Sequence, residues 1–173
     1  VKNWKRILIL LTVVLTAAVA ADQMKIGFIY SEQIMMEYQE AVDAMKKLEA
    51  EATELQNVYQ EMQGDYQKLI EDYEKRKLVS SDAWKKAKQQ EIVQKEQQLQ
   101  NYQLEHFGQS GSIYQKEEEY LGPVLDKINE ILKKVGEEDG FSYIFDASKG
   151  SIVYADEALD LTQKVLDELQ KSQ

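Results

Sequence analysis

The chain has 173 residues, one proline, no cysteine, and 21 Lys and Arg against 31 Asp and Glu, a net charge of −10. Without cysteine there is neither a disulfide framework nor a thiolate metal site, and so acidic a balance argues against nucleic acid as a partner. Abundant Glu, Gln, Lys, Tyr and Leu with so little proline predict long helices rather than a compact mixed fold.

Residues 1–21 read as a Sec-type signal peptide. Lys2, Lys5 and Arg6 precede an apolar run from Ile7 to Val19, and Ala18-Val19-Ala20 has the small-x-small pattern of a cleavage site, expected to be cut after Ala20 or Ala21. The alternative is an uncleaved anchor, against which stands an apolar run shorter than the ~20 residues of a spanning helix. Removal takes three cations and no acid, leaving 18 against 31 and a charge of −13. Export to the periplasm is the expected localisation.

Met24, Ile26, Phe28 and Tyr30 alternate with Lys25, Gly27 and Ile29, the period of a strand with one apolar face. Ser31 fits a helix N-cap. From Ile34 the period changes. Ile34, Tyr38, Ala41, Met45, Leu48, Ala52, Leu55, Tyr59, Met62, Tyr66, Leu69 and Tyr73 follow alternating spacings of four and three without a break. Such a narrow apolar seam specifies a supercoiled helix, an arm roughly 60 Å long at ~1.5 Å per residue. Its tyrosines and methionines are read as the packing between two paired helices rather than as client contacts. Asp43/Lys47, Glu71/Lys75 and Asp72/Arg76 add acid-before-base pairs one turn apart.

The seam stops at Lys75-Arg76-Lys77, and Ser80 or Ser81 offers an N-cap for a second helix from about Asp82 to Asp139. A short connection between two long helices makes an antiparallel hairpin. Gly108 and Gly111 within Phe107–Ser112, and Gly122-Pro123, are read as bends that separate arm from body, a true break at 108–112 being the alternative. Gly140 suits a helix C-terminal cap. Phe141, Tyr143 and Phe145 form a strand, Ala147–Gly150 a turn and Ser151–Ala155 a second strand, giving a hairpin. Asp160 and Gln163 resemble a capping box before a last helix carrying Leu161, Val165, Leu166 and Leu169.

The fold class is therefore α+β: a long antiparallel helical hairpin, or coiled-coil tentacle, on a small β body. Residues 22–33 and 121–173 make the body, residues 34–120 the arm, and its tip lies near 75–88. A body so small and without disulfides is marginal alone, and its strands leave edges unpaired. Oligomerisation through Ile26, Phe28, Phe141, Tyr143, Phe145 and Val153 is the expected remedy, with the number of chains undetermined by such physics.

In order and spacing, Lys25-Ile26-Gly27-Phe28-Ile29-Tyr30, the helical hairpin, Leu121-Gly122-Pro123-Val124, Gly140–Asp146, Val153-Tyr154-Ala155 and Asp160-Leu161-Thr162 resemble the Skp/OmpH family throughout the mature chain. The resemblance implies a homotrimer with three tentacles around a cavity, an ATP-independent periplasmic holdase for unfolded outer-membrane β-barrel proteins. The alternative is a structural coiled-coil spacer or scaffold of the cell envelope.

An enzyme is not expected. His106 is the lone histidine, Gly108-Gln109-Ser110-Gly111 lacks the last glycine of a nucleophile elbow because Ser112 stands there, and no P-loop or dinucleotide fingerprint occurs. No catalytic, cofactor or metal residue is assigned. The charge pattern is more informative: Lys75, Arg76, Lys77, Lys85, Lys86 and Lys88 share fourteen residues with one acid, Asp82. That basic tip is the candidate client-binding site, with an anionic membrane surface as a further partner. Lipopolysaccharide binding is not carried over from the family, because this chain is strongly acidic.

Overall fold

The computed structural model describes residues 24–150 and 152–172. The expected signal segment, residues 1–21, lies outside them. Elements follow in the order β1 (Ile26–Ile29), α1 (Ser31–Glu37), α2 (Gln39–Arg76), α3 (Asp82–Phe107), α4 (Ser112–Asp139), β2 (Tyr143–Asp146), a 3-10 turn (Glu157–Leu159) and α5 (Thr162–Lys171).

The two strands pair in parallel, with Ile26 opposite Tyr143 and Phe28 opposite Phe145. A parallel pair needs a crossover, and here the crossover is the whole helical hairpin. The expected β-hairpin does not form. The turn after β2 is real, with Gly150 at φ +70° and its N–H on the Ala147 carbonyl, but residues 152–155 leave the sheet as irregular chain. β1 takes β2 on one edge, and Leu161 donates to the Phe28 carbonyl on the other. The turn therefore ends the strand rather than reversing it, because the partner with matching register comes from far upstream.

Gly27 and Ile29 face the helices, and Ile29 joins a core with Ile34, Tyr38, Ala41, Val124, Ile128, Val135, Val165, Leu166 and Leu169. The final helix thus buries its expected face. Gly140 ends α4 in the left-handed region at φ +70° and donates to the Gly136 carbonyl, as a C-terminal cap does.

Ser31 does not cap α1. Tyr30 holds that position, and the Ser31 N–H and hydroxyl both donate to the Asp146 carboxylate, at 3.2 and 2.7 Å. Ser148 Oγ accepts the Glu32 N–H. The end of β2 therefore supplies the cap, a long-range substitute invisible to local sequence. Nor does the Asp160–Gln163 capping box form: Asp160 Oδ1 accepts the Thr162 N–H, while Gln163 reaches forward to Asp167.

The seam helix is interrupted once, at Tyr38, which is extended at ψ 116°. No glycine or proline marks the place. α1 is tied to the sheet and packs on α5, whereas α2 packs on α3 and α4, so tertiary partners override helix propensity at the handover. Pro123 lies inside α4, which continues through it to Asp139. The second arm helix does break at 108–111. A Cβ on Gly108 would approach the Leu104 carbonyl oxygen at 2.4 Å, and one on Gly111 the His106 carbonyl at 2.7 Å. The loop folds tightly back on the end of α3, and only glycine leaves it room.

Candidate functional site

α2 and α3 form the arm, about 57 Å long for 38 residues of α2. Every expected seam position from Met45 to Tyr73 is half-buried. Met45 and Met62 pack in that seam, and the tyrosines cross it. Tyr59 stacks on Tyr102 at 6.3 Å and meets Phe107 edge-on at 6.2 Å. Tyr73 stacks on Trp84 at 6.0 Å. Their hydroxyls bond at the rim, Tyr59 to Gln103, Tyr73 accepting from Gln89 and Tyr102 donating to the Leu55 carbonyl. A phenol suits a seam only two helices wide: the ring packs and the oxygen stays in reach of polar partners. Burial raises the Tyr102 pKa, helped by the Glu54 and Glu105 carboxylates.

His106 packs in this seam. Its ring lies 4.2 Å from that of Tyr102, and Nδ1 is 2.8 Å from Ser112 Oγ, so the imidazole staples the end of α3 to the start of α4. Among the described residues no cluster of His, Asp and Glu is placed to hold a metal ion.

At the tip, Ser81 caps α3 by accepting the Trp84 N–H at 3.3 Å, as its sequence position suggested. The six cations lie there, but five are paired along their own helices: Lys75 with Glu71, Arg76 with Asp72, Lys77 with Glu74, Lys85 with Asp82 and Lys88 with Glu91. Lys86 has no ion pair among the described residues. Asp43, the acid of the third expected helix pair, accepts from Gln39 instead. Two of these pairs, Glu71/Lys75 and Asp72/Arg76, are the ones the spacing predicted; sequence counting missed the other three and the apex itself, where Leu78 and Val79 are 89 % and 86 % exposed.

The sheet has a helix-covered face and an open one. Ile26, Tyr143, Phe145 and Val153 are exposed, and Tyr143 stacks on Phe145 at 6.1 Å. Phe28 is already buried within its own chain, edge-on to Tyr30 at 5.6 Å, and Phe141 packs against the helical core under Lys25. Four of the six expected interface residues therefore remain available to another surface. Around the body, Lys127 ties α4 to Glu40 of α2 at 2.8 Å. The Tyr38 hydroxyl is buried beside that pair without a hydrogen bond of ordinary geometry, and burial raises its pKa. Lys134 and Lys171 flank Glu168 at 2.6 and 2.7 Å and hold its carboxyl at a pKa of about 2.

A helical hairpin inserted as the crossover of a two-stranded parallel sheet, closed by a C-terminal helix, defines a tentacle-bearing α+β protein. Residues 25–169 match the family described as Outer membrane protein (OmpH-like), and the chain belongs to that family. Among solved structures it is similar to an OmpH-like protein from Caulobacter crescentus, named as a candidate outer membrane chaperone. The two share 12 % identity at a TM-score of 0.65, over 87 % of this chain and 86 % of that one. No curated protein matches the sequence significantly.

Proposed function

We propose that the protein is an ATP-independent periplasmic holdase that keeps unfolded outer-membrane β-barrel proteins from aggregating between its arms. Membership of the OmpH-like family and the chaperone name of the structural neighbour support the class. The observation that carries the mechanism is the arm itself, a projecting hairpin whose seam side chains are half-buried. Unfolded barrel chains expose apolar strands that associate through their edges. Many weak contacts from several arms hold such a chain by avidity, without a specific pocket or a chemical step.

Several arms require several chains. The open sheet face of Ile26, Tyr143 and Phe145, with the exposed Val153 of the chain that follows, is the proposed assembly surface, and a homotrimer is the proposed state. The tip cations Lys75, Arg76, Lys77, Lys85, Lys86 and Lys88 are the proposed point of first contact with acidic clients. Five of them are held by i,i+3 and i,i+4 ion pairs at the arm's surface, a kind of pair weak enough to exchange for a partner's carboxylates.

The test is dilution of an urea-unfolded outer-membrane protein into buffer with and without the chain, followed by light scattering. Suppressed aggregation near stoichiometric amounts supports the holdase; undiminished aggregation favours an envelope spacer. Replacing all six tip cations by glutamine is expected to slow capture and flatten its salt dependence. Unchanged capture and salt response remove the tip from the mechanism.

A further inference from the structure

The chain carries all its sulfur as thioether: five methionines, Met24, Met35, Met36, Met45 and Met62, and no cysteine. Methionine is ordinarily among the residues most often fully buried. Here none of the five belongs to the buried core, which among the described residues is built from aliphatic and aromatic side chains and Thr162. Met24 and Met36 are 63 % and 66 % exposed. Met35 packs half-buried against the core and lines the groove between α1, α4 and β2. Met45 and Met62 fall on the seam of α2, and both are half-buried. Beyond Ala44 no residue of α2 is buried, nor any of α3, so neither thioether is shut away from water. Met62 lies one turn beyond Tyr59, whose ring meets Tyr102 and Phe107 across the seam.

We infer that Met45 and Met62 are oxidation sites at which a hydroperoxide reversibly loosens the arm while the body stays folded. The step is an oxygen transfer that takes two electrons from sulfur. The thioether sulfur attacks the peroxide oxygen, and the S–O bond forms as the O–O bond breaks. The oxygen that departs takes up a proton and leaves as water, or as an alcohol from an organic hydroperoxide. The product, methionine sulfoxide, replaces a flexible apolar side chain by a polar, chiral one. In a seam only two helices wide no deeper core stands behind that side chain, so the polar oxygen disrupts the packing that pairs the helices. The change falls where local opening already costs least. The core of the body contains no sulfur to oxidise, and without cysteine no thiol competes for the oxidant or cross-links chains. Sulfoxide reduction by a dithiol-dependent reductase reverses the step: the dithiol becomes a disulfide and the oxygen leaves as water.

This inference stands on the seam alone and is read without any client, so it survives a failure of the holdase reading. The probe is hydrogen peroxide, with peptide mass spectrometry counting sulfoxides and hydrogen exchange reading the arm. Conversion of Met45 and Met62 is expected to speed exchange about tenfold in α2 beyond Ala44 and in α3, for one polar oxygen at each seam site. Exchange in the Val165–Leu169 and Ile128–Val135 segments of the core stays as it was. Reductases for both sulfoxide epimers, supplied with a dithiol, return the arm to its starting rate. Met45→Leu with Met62→Leu keeps volume and apolarity at both positions and is expected to abolish the response. Met24→Leu with Met36→Leu leaves it intact. Seam methionines that stay reduced when Met24 and Met36 are fully oxidised overturn the inference. So does unchanged arm exchange with both seam sulfoxides formed, a response that survives the Met45 and Met62 replacements, or body exchange that rises in step with the arm.

Discussion

The body and the distal arm hold together by different means. In the body, Ile34, Tyr38, Ala41, Val135, Val165, Leu166 and Leu169 are no more than 1 % exposed. Beyond Ala44 no residue of α2 is buried, and α3 has no buried residue at all. Full burial of an aliphatic side chain contributes about 1.5–3 kcal/mol, so cooperative stability concentrates at one end. The arm relies on helix propensity, a half-buried seam and rim hydrogen bonds. Such regions open locally at a fraction of the global free energy, and methionine and tyrosine tolerate repacking there. The contrast makes one end a fixed platform and the other a compliant surface.

The largest expected effect lies in the platform. Leu166→Ala removes a side chain 1 % exposed and is expected to lower unfolding free energy by about 2–5 kcal/mol in urea titrations. Leu99→Ala, half-buried in the arm seam, is expected to cost about 1 kcal/mol. Equal losses at the two sites would erase the distinction. Within the arm, glycines divide in the same way. Gly111→Ala pushes a methyl against the His106 carbonyl and is expected to cost about 1–3 kcal/mol. Gly64 lies mid-helix in α2 with nothing within 4 Å of an added Cβ, so Gly64→Ala is expected to stabilise by about 0.5–1 kcal/mol.

Asp146→Ala removes the acceptor for the Ser31 and Ser148 N–H groups and is expected to cost about 1 kcal/mol, the loss of a helix cap. The smallest effect is a pH dependence. The Glu168 pKa is lowered to about 2, first by the Lys134 hydrogen bond and then by that of Lys171. A depressed folded-state pKa gives stability that is complete above the ordinary glutamate range near 4.5 and is lost as pH falls toward the folded value. Glu168→Gln is therefore expected to lower the urea midpoint at pH 7 and to leave it nearly unchanged at pH 2. An equal deficit at both pH values would assign the residue a packing role only.

The arm was the most legible part of the sequence. Its seam is a one-dimensional pattern, and the positions from Met45 to Tyr73 are half-buried as the spacing requires. Ser81 and Gly140 were legible because a helix end is a local problem with a local solution. What failed depends on distant partners. The cap of α1 comes from Asp146, more than a hundred residues away. The parallel pairing of β1 with β2 joins strands on opposite sides of the arm, whereas the local turn at Ala147–Gly150 suggested a hairpin. The break at Gly108–Gly111 was visible as poor propensity, but its necessity lies in carbonyl contacts. At the tip, counting charge found the cations and overlooked Leu78-Val79, because two apolar residues in a turn carry no periodicity.

Hydrogen exchange read by mass spectrometry, on the protein with and without an unfolded outer-membrane client, tests the contrast most directly. The expected result is exchange in α2 beyond Ala44 and throughout α3 by openings far smaller than the global one, slowed when client is bound, with the Val165–Leu169 and Ile128–Val135 segments unchanged. Arms as protected as the body before any client arrives would contradict a compliant holding surface.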